Sequence, residues 1–154
     1  MMPEVPELVF EPFPADELRR FIEDNVTTFT MAMTGALDYQ PMGYFLRQDR
    51  GEWVGGCLGH VWAEYLHVQW LWVSGALRGR GHGARLLRAA ETMAMENGAA
   101  AATLDTFNPQ AKAFYLGQGY EVFGTLENYP TGHTKYYLRK TLTKTAPTPR
   151  PRRA

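Results

Sequence analysis

Arg78-Gly79-Arg80-Gly81-His82-Gly83-Ala84 sets three glycines within five positions, between a strand-like segment and a well-patterned helix. Glycines let the backbone approach a ligand closely and turn successive N–H groups toward it. The helix that begins there adds unsatisfied donors and a partial positive charge, and Arg78 and Arg80 add full charges. That combination suits a diphosphate. A merely flexible loop with solvated arginines is the plain alternative, and the helix that follows at once argues against it. Gly79-x-Gly81-x-x-Ala84 also matches a relaxed dinucleotide fingerprint, with Asp105 at about the right distance onward. Against that reading, residues 74–78 separate the strand from the first glycine, and an antiparallel pattern precedes the turn. The Gly-Lys-Ser/Thr of a kinase-type P-loop is absent from the turn. Among the ionisable groups, His67 is a candidate base, since an unperturbed histidine side chain titrates near neutrality, with Glu64 a second. A half-buried imidazole on a strand is the plain alternative for His67. No cluster of His, Cys, Asp and Glu has metal-ligand spacing, so no metal is expected.

These residues need elements to hold them. Residues 8–13 alternate as a short strand, and Asp16 is a candidate cap for a helix over 17–26. A second helix is expected over 29–37. The period then changes to that of an antiparallel meander, with strands at 42–47, 53–63 and 66–73 and a turn at 48–51. After the glycine turn, Ala84, Leu86, Leu87, Ala90, Met93 and Ala94 line one helix face, and Gly98 closes that helix. A buried-type strand follows at 100–107, then a short helix at 109–117. Strands at 120–126 and 135–142 flank a loop at 127–133. The order is β-α-α-β-β-β-α-β-α-β-β, an α+β arrangement on a mixed sheet. The aromatic stripe Trp62, Tyr65, Trp70, Trp72 reads as core or dimer contact rather than a ligand cage, and His60 as a packed or satisfied strand residue.

The chain has 154 residues, which suits one domain over 1–142 followed by a disordered Pro/Arg-rich tail at 143–154. Residues 1–76 carry eleven acids against four bases, a net −7, and the remainder carries +7, with Arg150, Arg152 and Arg153 in the tail. Such polarity fits a basic half that meets a polyanion and an acidic half that attracts a cation, although ordinary surface variation produces it too. No stretch combines dense bases with interleaved aromatics, so no nucleic-acid partner is expected. No apolar run approaches the roughly 18 residues of a membrane span, and the N-terminus lacks the regions of a signal peptide. Cys57, the single cysteine, cannot form an internal disulfide; it reads as a buried small hydrophobe, and the cytoplasm is the default location.

Arg78-x-x-Gly81-x-Gly83, placed after Leu71-Trp72-Val73 and before the central helix, resembles the Arg/Gln-x-x-Gly-x-Gly/Ala signature of the GNAT acetyltransferases. Asn108-Pro109-Gln110-Ala111, continuing through Phe114-Tyr115 to Gly119-Tyr120, is similar to that family's second signature. The resemblance covers about residues 40–142. It implies the acyl-CoA N-acyltransferase fold, a mostly antiparallel sheet of six to seven strands flanked by about four helices. It also implies an N-acetyltransferase that moves acetyl from acetyl-CoA to the primary amine of a small acceptor, with a homodimer possible. By the same resemblance, the backbone of Leu71, Trp72 and Val73 would pair with the pantetheine arm. Arg78, Gly79, Arg80, Gly81, His82, Gly83 and Ala84 would cradle the pyrophosphate, and Asn108 would hydrogen-bond the arm. Tyr115 would sit near the sulfur and protonate the leaving thiolate, a core tyrosine beside Phe114 being the alternative. His67 lies where some members keep a glutamate, and water is the other candidate for moving the amine proton. The run from Asn128 to His133 resembles a Tyr-Pro-x-Gly-His loop of a bacterial subset, which would offer Tyr129 and His133 to the acceptor, a turn with no further purpose being the alternative; Glu64 is a separate candidate acceptor contact. A non-catalytic acyl-CoA-binding or partner-binding module on the same fold is the competing function.

Overall fold

The computed structural model describes residues 5–36 and 38–143. The chain divides at position 37 into two compact units. The first is dominated by a single helix, α1 (Asp16–Thr34). The separate helices expected over 17–26 and 29–37 are therefore one, because the stretch between them holds neither glycine nor proline and Thr27-Thr28 lower helix propensity without breaking the ladder. Asp16 does not cap this helix; Ala15 stands at the N-cap without a side-chain bond, and Asp16 and Glu17 face the positive end of the dipole from the first turn. The helix closes one turn short of position 37, where Gly35 N–H donates to Met31 O at 2.8 Å. Residues 8–13 form no strand. Pro12 removes a backbone donor from the middle of that run, and Leu8, Phe10 and Phe13 are exposed.

The second unit is a six-stranded sheet in the order β1-β2-β3-β4-β6-β5. Its strands are β1 (Tyr39–Arg47), β2 (Trp53–Trp62), β3 (Tyr65–Val73), β4 (Ala101–Thr106), β5 (Glu121–Glu127) and β6 (Thr134–Thr141). Two helices, α2 (His82–Glu96) and α3 (Pro109–Gly117), complete it. Every neighbouring pair is antiparallel except β3 and β4. The sheet has six strands and the described residues three helices, at the low end of the expected strand number and one helix fewer, the losses being the 8–13 strand and the fused α1. The tail expected at 143–154 lies, from residue 144, outside the described residues.

Alternation along the strands decides what each face does. Cys57, Val61, Leu66, Val68 and Val73 are buried and meet Leu86, Leu87, Ala90 and Ala94 of α2. Leu104 and Leu138 extend that core beneath β4 and β6. α2 packs across β1, β2 and β3, and α3 packs on β4. The opposite face carries His60, His67, Trp70 and Trp72, in register as His60↔His67, Leu58↔Trp70 and Gly56↔Trp72. The aromatic stripe is therefore not core: Trp70 is 72% and Trp72 55% exposed.

The feature that shapes the site is a parting of the sheet. β3 and β4 pair only from Tyr65↔Ala101 to His67↔Thr103, after which both strands continue apart. Its local cause is a bulge. The β2–β3 register slips between Leu58 and Gly59, so Trp70 and Val68 oppose them and Gln69 is left over. An extra residue bends its strand and increases its twist. Gly59 allows the close approach this requires, since a Cβ there would collide with the carbonyl oxygen of His67.

Candidate active site

The glycine turn closes one end of the parting. After β3, residues 75–77 form one 3₁₀ turn, and Arg78 Nε donates to Val73 O at 3.0 Å, tying the turn to the strand end. Gly79 and Gly81 take φ of +73° and +82°, where any side chain is strained, and the space a Cβ would enter is empty at both. Gly81 is the N-cap of α2. No side chain caps that end and no acid lies in its first turn, so the N–H groups of His82, Gly83 and Ala84 stand uncompensated. His82 is the first residue of α2. Gly83 brings the helix start close to Phe114, whose ring would lie 3.5 Å from a Cβ there.

The two walls of the parting differ. On one side, the edge of β3 from Val68 to Val73 that faces away from β2 has no strand beside it among the described residues, and Leu71, Trp72 and Val73 lie on it. On the other, β4 runs into Asn108, the N-cap of α3, whose Oδ1 accepts from Gln110 N at 2.9 Å. That bond leaves the Nδ2 amide as the Asn108 group free to meet a ligand.

Tyr115 rises from α3 on the α2 face of the sheet and is 7% exposed. Its ring meets Phe114 edge-on at 5.2 Å and Tyr120 edge-on at 5.8 Å. Burial pushes its hydroxyl up to about 12, and the nearby Cys57 and Asp105 add to the shift. A phenol so placed keeps its proton through the neutral range and is a donor. Cys57 is fully buried and its thiol is pushed up to about 11, first by burial and then by Glu91, so it is chemically quiet.

His67 is the last β3 residue paired with β4, and it points to the face opposite Tyr115. Its ring lies 5.3 Å from that of His60, which in turn lies 4.9 Å from Tyr39. His60 is packed but not satisfied: its Nδ1 is buried without a hydrogen-bond partner among the described residues. Burial, and then the neighbouring His67, lower its pKa. Sequence reasoning had paired neither histidine with the other, although cross-strand register is what brings them together.

Glu64 sits elsewhere. It occupies the β2–β3 turn at φ +68°, and its carbonyl accepts Ala100 N at 2.8 Å. That places it at the end of β3 where the sheet is closed, roughly 15 Å of strand away from the bulge. Tyr129 and His133 belong to the β5–β6 loop, where Tyr129 N donates to His133 O at 2.9 Å and His133 N to Pro130 O at 2.8 Å. Tyr129 lies 5.6 Å from Phe107 at the end of β4, so this loop leans over the mouth of the parting. Beside it, Lys135 pairs with Asp105 at 3.3 Å. Sequence reasoning missed the contact of buried Glu91 with Tyr120 and the half-buried Lys140. Its one sequence signal was a carboxylate in phase with Leu87 and Ala94 on the apolar face of α2.

No group of three His, Cys, Asp or Glu among the described residues is arranged to hold a metal, and no helix among them is long and apolar enough to cross a membrane. Blasticidin-S acetyltransferase of Streptomyces morookaense is 41% identical over 95 residues, 61% of this chain and 70% of that protein. An acetyltransferase of Agrobacterium fabrum is 32% identical over 124 residues, 80% of this chain and 90% of its own. The crystal structure of a candidate acetyltransferase from Agrobacterium tumefaciens matches with a TM-score of 0.84 at 30% identity, covering 88% of this chain and 99% of that one. Residues 3–120, most of the chain and all of the glycine turn, match the sequence model of the Acetyltransferase (GNAT) family. The chain thus belongs to the GNAT family and is an acetyltransferase.

Proposed function

We propose that the protein transfers acetyl from acetyl-CoA to the primary amine of a small, cationic acceptor by direct attack. The observation that carries this reading is the parted sheet, with an uncapped helix start and left-handed glycines at one end. The residues suit the donor: N–H groups of 82–84 with Arg78 and Arg80 for a diphosphate, the bare edge of 68–73 for an amide-bearing arm, and Asn108 Nδ2 opposite. When bound, acetyl-CoA supplies an acyl group activated as a thioester.

The chain's own groups then divide the work by face. His67, on the open face, takes the proton of the attacking amine, directly or through one water. As the new C–N bond forms and the C–S bond breaks, the electron pair passes to sulfur, and Tyr115, from the α2 face, delivers its proton there. The acetyl group thus passes between a proton acceptor and a proton donor on opposite sides of the sheet, held in line by the strand edge. Tyr129 and His133 offer polar groups to the acceptor from the loop over the mouth. The net −7 of residues 1–76 favours a cation as acceptor. The similarity to blasticidin-S acetyltransferase makes blasticidin S a member of the panel to test. Release of the coenzyme thiol from acetyl-CoA, followed with a thiol reagent across polyamines, aminoglycosides, blasticidin S and amino acids, identifies the acceptor. Binding of acetyl-CoA with no release for any amine would overturn the enzymatic reading in favour of a binding module.

A further inference from the structure

Glu91 is a charged residue of α2 turned into the core, 7% exposed. Its Oε1 accepts the Tyr120 hydroxyl at 2.9 Å and Lys140 Nζ at 3.2 Å, and its Oε2 accepts Lys140 Nζ at 2.9 Å. The Lys140 ammonium also lies 5.5 Å from the centre of the Tyr120 ring. Three elements meet here: α2 through Glu91, β6 through Lys140, and the turn after α3 through Tyr120. Desolvating a carboxylate and an ammonium costs about what their attraction returns, so a buried pair adds little net stability over well-packed apolar residues. What such a pair does well is fix one geometry.

What it fixes here is Tyr120. With its hydroxyl held by Glu91, the Tyr120 ring has one setting, and that ring stands edge-on to Tyr115 at 5.8 Å with 64° between planes. Tyr120 N also donates to Tyr115 O at 3.0 Å, so the same residue grips the Tyr115 backbone and its ring. Phe114 closes the other side at 5.2 Å. Burial, and then the Glu91 carboxylate, hold the Tyr120 hydroxyl far above the usual phenol range, so it stays a donor to Glu91 at any working pH.

We propose that Glu91, locked by Lys140, is a positioning residue: through Tyr120 it sets the ring of Tyr115, and so the direction in which the Tyr115 hydroxyl is presented. This rests on the reading of Tyr115 as proton donor. Small misplacements of a reacting group lower rate far more than they lower binding, which separates positioning from a merely structural role.

The test is a double-mutant cycle on the full chain, with Glu91→Gln made in the wild type and in Tyr115→Phe. Thiol release from acetyl-CoA is read first without added amine and then with the best amine of the panel, and acetyl-CoA affinity is read by calorimetry. Glu91→Gln is expected to lower turnover about tenfold in the wild type, with acetyl-CoA affinity within about twofold. In the Tyr115→Phe background the same change is expected to cost less than about twofold, because the group it aims is gone. Tyr120→Phe, which keeps the ring and cuts the link to Glu91, is expected to repeat the pattern and carries the cycle if Glu91→Gln fails to fold. Equal losses in both backgrounds, or no loss in either while Tyr115→Phe alone is slow, would overturn the positioning role and leave Tyr115 as donor. Full turnover in Tyr115→Phe alone would remove the donor reading itself and this inference with it.

Discussion

Tyr115 and Gly81 carry the two assignments a single substitution can test. Tyr115→Phe removes one hydroxyl and keeps the ring between Phe114 and Tyr120, so packing survives. If the hydroxyl protonates the departing thiolate, turnover falls about a hundredfold, roughly 2–3 kcal/mol of barrier, while acetyl-CoA affinity moves little. Unchanged turnover would return Tyr115 to the core. Gly81→Asp strains a backbone held at φ +82° and sets a carboxylate where a diphosphate should lie. Calorimetry is expected to show acetyl-CoA binding weakened beyond about a hundredfold in a folded protein; unchanged affinity would remove the pyrophosphate assignment. Both residues were legible because each stands in a short motif whose types state their chemistry. The polar trio Glu91, Tyr120 and Lys140 was not, because its members lie far apart in sequence and look like solvated residues until β6 is laid beside β4. That His60 faces His67 was not legible either, since the register of β2 on β3 alone shows it.

Elements were read well where neighbours reinforce a local pattern. β2 and β3 alternate because α2 covers one face, and α3 begins at Pro109 because Asn108 caps it. The failures lie toward the N-terminus, where alternation at 8–13 found no partner strand and two apolar stretches shared one helix. The bulge in β3 left no mark in the sequence beyond Gly59, whose need is set by a carbonyl on another strand. The β2–β3 turn offers a test at this scale. Ala63 and Glu64 both sit at positive φ, +49° and +68°, in a two-residue hairpin that glycine would close without strain. Glu64→Gly is expected to stabilise the chain by up to about 1 kcal/mol, a rise of a few degrees in melting temperature. Turnover is expected to be unchanged, since Glu64 lies at the closed end of the sheet. A large loss of turnover would bring Glu64 back as a candidate base.

The whole molecule answers to pH through its core. Cys57 and Tyr115 are raised to about 11 and about 12, and unfolding returns them to their ordinary 9.0 and 10.0. Above pH 9 the unfolded chain releases protons that the folded chain still holds. Their contribution to stability is therefore full below pH 9 and is lost as pH climbs from there toward 12, at about 1.4 kcal/mol per pH unit for each group titrating in the unfolded state alone. Denaturation midpoints at pH 8, 9.5 and 10.5 should fall in that order, and Cys57→Ala should soften the first step; a flat series would contradict the burial of both groups. The parting of β3 from β4 has a kinetic counterpart. Amides along 68–73 that face the gap have no carbonyl to hold them, so in the free protein they are open to deuterium while their neighbours in β2 are not. Filling the gap with acetyl-CoA should slow exchange in this one stretch more than elsewhere in the sheet. At a hundred times its dissociation constant it should also add about 2.7 kcal/mol of stability. With the coenzyme arm laid along that edge as proposed, the free enzyme would be a sheet that completes its own hydrogen bonding each time it picks up its donor and gives it up again each time the spent coenzyme leaves.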